Sequence, residues 1–228
     1  MTNSEIKRKK VISHFIDVTS VLINEIGIKN ITIRKIAEKA GYNSATLYNY
    51  FENLDHLIFF ASYRNLKDYA TNLNKYIQNS RNAMDTFFLV WECFCDHAYY
   101  KPEIYNAIFL VELNKDTENY IADYYTLFPE EAGAYGDTIT DMLWTANLVQ
   151  RNMRLVEDCI EEGYILLDDG EKVNNITMFI FESILKRVLR EKISYEDARN
   201  MTLDYQESVL RSFLIKEYDF KYTSFKDK

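Results

Sequence analysis

The sequence predicts an all-α fold, a small N-terminal group of short helices followed by a larger helical bundle. Three observations carry this expectation. Only 6 glycines and 2 prolines occur in 228 residues, too few for a sandwich or barrel that needs a turn residue every few positions. Apolar residues recur at three- and four-residue steps through most of the chain, which is the period of a helix face. Of the 18 tyrosines, only Tyr42, Tyr48 and Tyr50 precede residue 60, so the second part is the aromatic-rich one and is long enough to bury a sizeable core.

The first helix shows Ile12, Phe15, Ile16, Thr19, Leu22, Ile23 and Ile26 on one face, and Gly27 is placed to end it as a left-handed cap. Thr32 is an N-cap candidate for a second, short helix that turns Ile33, Ile36, Ala37 and Ala40 inward and stops at Gly41. A third runs from Ser44 to Phe51. Asn53 can cap a fourth that passes Leu57, Phe60 and Ala61 and meets few breakers before Gln78.

Beyond the polar connection at 79–82, the stripe Met84, Phe87, Phe88, Trp91, Phe94, Cys95 and Ala98 marks an amphipathic helix. It ends ahead of Pro102, because the residue before a proline disfavours helical geometry. Pro102 opens the next helix, with Tyr105, Ile108, Phe109 and Leu113. Residues 127–136, with Pro129, Gly133 and Gly136, read as a loop. Asp137 to about Glu162 reads as a helix again, with Val149, Met153, Val156 and Ile160 on its inner face.

Two long segments close the chain. Asn174 to Glu191 carries Ile176, Phe179, Ile180 and Ile184, widened by Met178, Phe181, Leu185 and Val188. Tyr195 to Glu217 carries Ala198, Met201, Tyr205, Leu210, Phe213 and Leu214. A stripe too wide for one partner points to packing on a core and on a second copy of the chain. The expected contact residues are Phe181, Leu185, Val188, Leu210 and Phe213. A central helix buried within one chain is the alternative.

Net charge is −8, which by itself argues against a nucleic-acid partner. The charge is unevenly distributed, however. Residues 1–55 hold eight basic side chains, among them Lys7, Arg8, Lys9, Lys10, Arg34 and Lys35, against six acidic ones. The excess of acid therefore lies in the remainder. The N-terminus has no apolar leader and no run approaches the ~18 apolar residues of a membrane span. Cys93, Cys95 and Cys159 are odd in number, so they are expected to be reduced core thiols of a cytoplasmic protein.

The densest local signal is the run from Thr32 to Phe51, TIRKIAEKAGYNSATLYNYF. Two short helices joined by a Gly-containing turn suit the DNA major groove, one helix bracing on the backbone while the other meets base edges. With Leu47 and Phe51 turned inward, Asn43, Ser44, Thr46, Tyr48 and Tyr50 are left to reach bases and phosphates. A helical-bundle enzyme of the di-iron type would need paired Glu-x-x-His motifs, and none of His14, His56 and His97 has Glu three residues before it. Cys93 and Cys95, two apart, diverge around a helix and do not form a zinc pair. No metal or cofactor is expected. An interaction protein that uses the motif only for packing would leave the exposed tyrosines without a purpose.

The pattern of Thr, then Ile-Ala, then Ala-Gly, then Thr-Leu-Tyr-x-Tyr-Phe resembles the DNA-binding head of the TetR family of regulators, over about residues 10 to 60. The resemblance implies a homodimeric, all-α, ligand-responsive transcriptional regulator, usually a repressor. Its helix-turn-helix domain is expected over 1–54 and its effector-binding and dimerisation domain over 55–228. It implies an operator contact through Thr32, Lys35, Tyr42, Asn43, Ser44, Ala45, Thr46, Tyr48 and Tyr50. Leu54 stands where the family commonly has a basic residue, which shifts phosphate contact to Lys35 or to Lys7–Lys10. For a lipophilic or aromatic effector, Trp91, Phe94, Tyr105, Phe109, Tyr125, Trp144 and Asn147 lie on segments expected to line the second domain.

Overall fold

A computed structural model describes residues 2–110, 117–129, 145 and 147–221. The order of helices is α1 (Asn3–Ile26), α2 (Ile33–Ala40), α3 (Ser44–Leu47), α4 (Leu54–Tyr63), α5 (Leu66–Ile77), α6 (Ala83–Ala98), α7 (Pro102–Phe109), α8 (Thr117–Leu127), α9 (Leu148–Glu161), α10 (Leu167–Leu189) and α11 (Tyr195–Phe213). A 3₁₀ turn, Ile28–Asn30, joins α1 to α2. Among the described residues, the one β-type pairing is an isolated bridge between Ile165 and Leu214. None of the described helices is long and apolar enough to cross a membrane.

The chain divides into two compact units, Met1–Lys67 with Glu103–Ala132 and Asp68–Pro102 with Gly133–Lys228. In the first, α1 packs on α2 and α4, α2 on α3, and α4 on α8. Its core is Phe15, Ile16, Ile36, Leu47, Phe51, Leu57 and Phe60, all buried. Polar caps fix the helix starts: the side chains of Thr32, Asn43 and Asn53 accept from the backbone N–H of Lys35, Thr46 and His56, each satisfying a donor that the first turn leaves open. Gly41, at φ 75° and ψ 26°, supplies the left-handed turn after α2. Gly27 also has positive φ, but at ψ 153° it is not the left-handed helical cap expected. Its N–H bonds to Ile23 O while the chain turns outward, a conformation open essentially to glycine alone.

The second unit is a helical bundle in which α10 packs against both α9 and α11, and α6 against the same two. α5 adds Tyr69, Leu73 and Tyr76 to its core. Being enclosed on two sides, α10 buries Val173, Thr177, Met178, Phe181, Ile184 and Leu185. Phe181 meets the rings of Trp91, Phe94 and Tyr99 at 5.1–5.7 Å. A charged cluster crosses from α6 to α11: Arg199 pairs with the fully buried Glu92 and with Asp96 at 3.0 Å. Asp96 also accepts from the hydroxyls of Tyr76 at 2.8 Å and Tyr195 at 2.6 Å. Cys93, Cys95 and Cys159 are free and buried.

Several boundaries differ from the sequence reading. The third helix ends at Leu47, and Tyr48 to Tyr50 form a turn. The long fourth helix is two, broken at Arg64-Asn65, where Arg64 N–H reaches back to Phe60 O and Asn65 N–H to Ser62 O. The helix expected from Asp137 begins at Leu148, because Asn147 is its N-cap; most of 137–146 lies outside the described residues. α10 starts at Leu167, ahead of the expected Asn174. α8 had no counterpart in the sequence reading.

Candidate DNA interface and effector cavity

In the first unit, Thr32 and Lys35 stand exposed at the start of α2. The Lys35 ammonium donates to Asn30 O at 2.8 Å, which keeps its charge beside that helix start. Next along the chain, Tyr42, Asn43, Ser44, Ala45 and Tyr48 are all exposed, and Thr46 is half-buried. Asn43 Oδ1 accepts from both the N–H and the hydroxyl of Thr46, at 2.8 and 3.0 Å. Those two side chains are therefore tied to each other in capping α3.

The three tyrosines of this surface are held differently. Tyr42 leans on Phe15 and His14, with ring centroids 5.2 and 6.1 Å apart. Tyr50 is half-buried, 6.2 Å from Phe15, and the Arg8 guanidinium lies 5.2 Å from its ring centroid. Tyr48 is 57% exposed, and its hydroxyl has no hydrogen bond among the described residues. A phenol that folding does not need to satisfy is available to a partner.

The basic N-terminal run does not act as one group. It lies within α1, which a capping box of Thr2 and Glu5 starts at Asn3. Arg8 donates to Asn49 O at 3.3 Å, next to Tyr48, so its charge stays on the side of α3. Lys9 instead sits 5.2 Å over the Phe128 ring. Arg34, exposed on α2, adds a cation to the same surface that the motif reading left out.

In the second unit a small cavity of about 20 Å³ is lined by Tyr69, Val90, Trp91, Phe94, Leu148, Arg151, Asn152 and Leu155. Trp91 and Phe94, two of the expected ligand residues, stand together on its wall, their rings perpendicular and 5.7 Å apart. The polar part of the wall is held by a chain of hydrogen bonds. Trp91 Nε1 donates to Asn152 Oδ1 at 2.8 Å, Asn152 Nδ2 donates to Asn174 Oδ1 and Thr177 Oγ1 at 2.8 Å each, and Asn174 Nδ2 donates to Val149 O at 3.1 Å. Arg151, 3% exposed, donates through Nε to Thr145 O. Burial pushes the Tyr69 phenol well above its ordinary range, and the Arg151 charge opposes that rise in part.

The remaining expected ligand residues are placed elsewhere. Tyr105 and Tyr125 are buried in the first unit. Phe109 lies beside Tyr105 there, with ring centroids 6.0 Å apart. Asn147 is spent on capping α9, its carbonyl oxygen accepting from Val149 N and Gln150 N. Trp144 lies outside the described residues. Tyr69, Arg151 and Asn152, which the sequence reading passed over, line the cavity beside Trp91 and Phe94.

The expected dimer residues need a similar correction. Phe181, Leu185 and Leu210 have no exposed surface, because α10 and the inner face of α11 are already enclosed by their own chain, so they offer nothing to a second copy. Val188 and Phe213 are half-buried. Apolar groups that face outward on these helices are Leu167, 76% exposed, Phe179, 65% exposed, and Tyr205, 45% exposed.

Residues 15–59 match the family model described as bacterial regulatory proteins, tetR family. Over most of its length the chain is similar in fold to RolR, solved in complex with resorcinol (TM-score 0.58, 16% identity, 91% of this chain and 89% of that one). It is similar to FadR of Thermus thermophilus, a TetR-family transcriptional repressor solved with lauroyl-CoA (TM-score 0.57, 13% identity, 91% and 97%). A third such structure is the fatty acid degradation regulator FadR of Bacillus halodurans (TM-score 0.56, 14% identity, 87% and 97%). No curated protein sequence matches the chain. The match to the tetR family of bacterial regulatory proteins thus lies in the helix-turn-helix of the first unit, and the rest of the chain shares its fold with these structures.

Proposed function

We propose that the chain is a ligand-responsive transcriptional regulator, a repressor that binds a near-palindromic operator as a homodimer and is released by a small aromatic or lipophilic effector. The observation that carries the reading is the helix-turn-helix from Thr32 to Tyr48, which leaves an exposed phenol, two capped helix starts and the cations Arg34 and Lys35 at the surface, with the exposed Arg8 bonded to Asn49 O beside Tyr48. The exposed helix starts offer backbone N–H groups to phosphate, and Tyr48, Ser44 and Ala45 are placed to meet base edges.

Two such heads about one DNA turn apart (~34–36 Å) would read successive major grooves. The outward Phe179 and Tyr205 of α10 and α11 support pairing with a second copy. The effector acts by binding the two states of the dimer with different affinity, favouring a head spacing that no longer fits the operator. In this reading the neighbours solved with resorcinol and with lauroyl-CoA are precedents for small-molecule control on the same fold.

The experiment is fluorescence anisotropy of the purified protein with labelled DNA from upstream of its own coding sequence and with scrambled DNA, across a salt series. Tight binding to the first that weakens with salt is expected. Equal, weak binding to both would count against the reading.

A further inference from the structure

The stripe that α1 turns toward the helix-turn-helix ends in a cation. Ile12 and Phe15 are buried on it, and one turn nearer the N-terminus the same i, i+4, i+7 row reaches Arg8. The Arg8 guanidinium lies 5.2 Å from the Tyr50 ring centroid, and its Nη1 donates to Asn49 O at 3.3 Å. Two contacts therefore fix the planar fork beside the turn that follows α3. Arg8 nevertheless stays exposed and pairs with no carboxylate among the described residues. A guanidinium has five N–H donors, so most of them, and the whole charge, are left over. Other cations of the unit are neutralised, Lys39 by Glu25 and Arg64 by Asp17.

Lys9, about 100° further around the helix, faces a different way and sits 5.2 Å over the Phe128 ring. At the start of α4, Leu54 stands between the exposed acids Glu52 and Asp55, which repel a phosphate. Resting on the reading of the chain as an operator-binding regulator, we propose that Arg8 is a phosphate clamp that grips the DNA backbone alongside the recognition turn. Asn49 O and the Tyr50 ring hold the fork in place, and a fork so held suits two-point contact with phosphate oxygens. Adjacent cations of one basic run thus have opposite fates. Arg8 serves the DNA, and Lys9 serves the packing of its own unit.

The test is a salt series on the full-length protein with labelled upstream and scrambled DNA. It reads the slope of log K against log salt, which loses about 0.9 for each phosphate contact removed. Arg8→Gln is expected to make the slope shallower by about one contact and to weaken both DNAs severalfold at low salt. Arg8→Lys, which keeps the charge, should retain most of the slope. Lys9→Gln should leave it as in the parent protein. Arg8→Met, which keeps an unbranched stem beside Tyr50, repeats the measurement should Arg8→Gln not fold.

An unchanged slope in Arg8→Gln would overturn the clamp even if affinity fell, because Arg8 would then only position the turn. An equal loss of slope in Lys9→Gln would overturn it as well, since the run would be acting as one diffuse charge. The parent protein separates the two readings. If its binding depends on salt but the slope does not depend on Arg8, the clamp alone is removed. If it shows no salt-dependent binding to either DNA, the regulator is removed and the clamp with it.

Discussion

Trp91 on α6 and Asn152 on α9 are joined by a 2.8 Å hydrogen bond from the indole nitrogen to Oδ1, and both are almost fully enclosed. The same amide donates from its nitrogen into α10, to Asn174 and Thr177. One side chain therefore sets three helices in register around the cavity. Replacing Asn152 by Leu keeps the approximate volume but leaves the indole N–H and the Asn174 oxygen buried without their partner. The expected cost is about 1–3 kcal/mol for each such group, read as a lower denaturation midpoint, with Trp91 emission reporting the looser wall. A midpoint unchanged within error would mean that water replaces the amide.

Tyr48→Phe tests the DNA face. The hydroxyl makes no bond among the described residues and the ring is more than half exposed, so thermal stability and oligomeric state should not change. Operator affinity should fall severalfold, by the worth of about one hydrogen bond. Undiminished affinity in an anisotropy titration would remove this oxygen from the contact.

Arg199 is the counter-charge for two carboxylates, of which Glu92 is wholly buried. Arg199→Leu removes the cation from both, and breaking a buried ion pair by removing one partner costs about 3–5 kcal/mol. Calorimetric melting should show a large fall for this variant. A companion Arg199→Leu, Glu92→Leu double variant, with Asp96 still held by Tyr76 and Tyr195, should recover part of it. A single variant that melts with the parent protein would refute the network's role.

Acid should loosen the first unit through His56. Its ring stacks on Tyr120 at 4.3 Å with the planes 6° apart and accepts at Nδ1 from Glu52 N–H at 3.3 Å. Burial lowers its pKa, with the charges of Glu52 and Asp123 opposing. The unfolded chain takes up this proton near pH 6.5 and the folded one only at lower pH. The stability from keeping His56 neutral is therefore present above pH 6.5 and is lost as pH falls through the folded value. His97 in the second unit, also lowered by burial, adds in the same direction. Melting temperature should drop between about pH 7 and 5, less steeply in His56→Phe. An NMR titration that placed the His56 midpoint at or above 6.5 would contradict this.

How much of this was legible in the sequence follows from which residues signal by type alone. Caps and breakers do: Thr32, Asn53 and Pro102 act where a reader places them, and Gly41 turns the chain as expected. Asn147 signals too, but as a cap, and so it could not serve as a pocket group. The break at Arg64-Asn65 carries no glycine or proline, so only the backbone shows it. The cavity was hidden because the inner face of α9 is Leu148, Arg151, Asn152 and Leu155. An apolar stripe drawn through Val149 and Met153 sets Arg151 and Asn152 aside, and burial of polar groups that are bonded within the fold is invisible to a hydrophobic pattern. For α10 the pattern was right that two partners are needed, and it could not say that both belong to the same chain.

The three cysteines have one more consequence. Each is enclosed, and burial raises every thiol, Cys159 to about 12 with the charges of Asp158 and Glu162 adding to the effect. Since the thiolate is the species that reacts, peroxide, nitrosating agents and thiol-directed electrophiles find no reactive sulfur among these cysteines while the second unit stays folded. A disulfide reagent consumes these sulfurs only when the bundle opens, so the speed of that colour change is a clock for its opening.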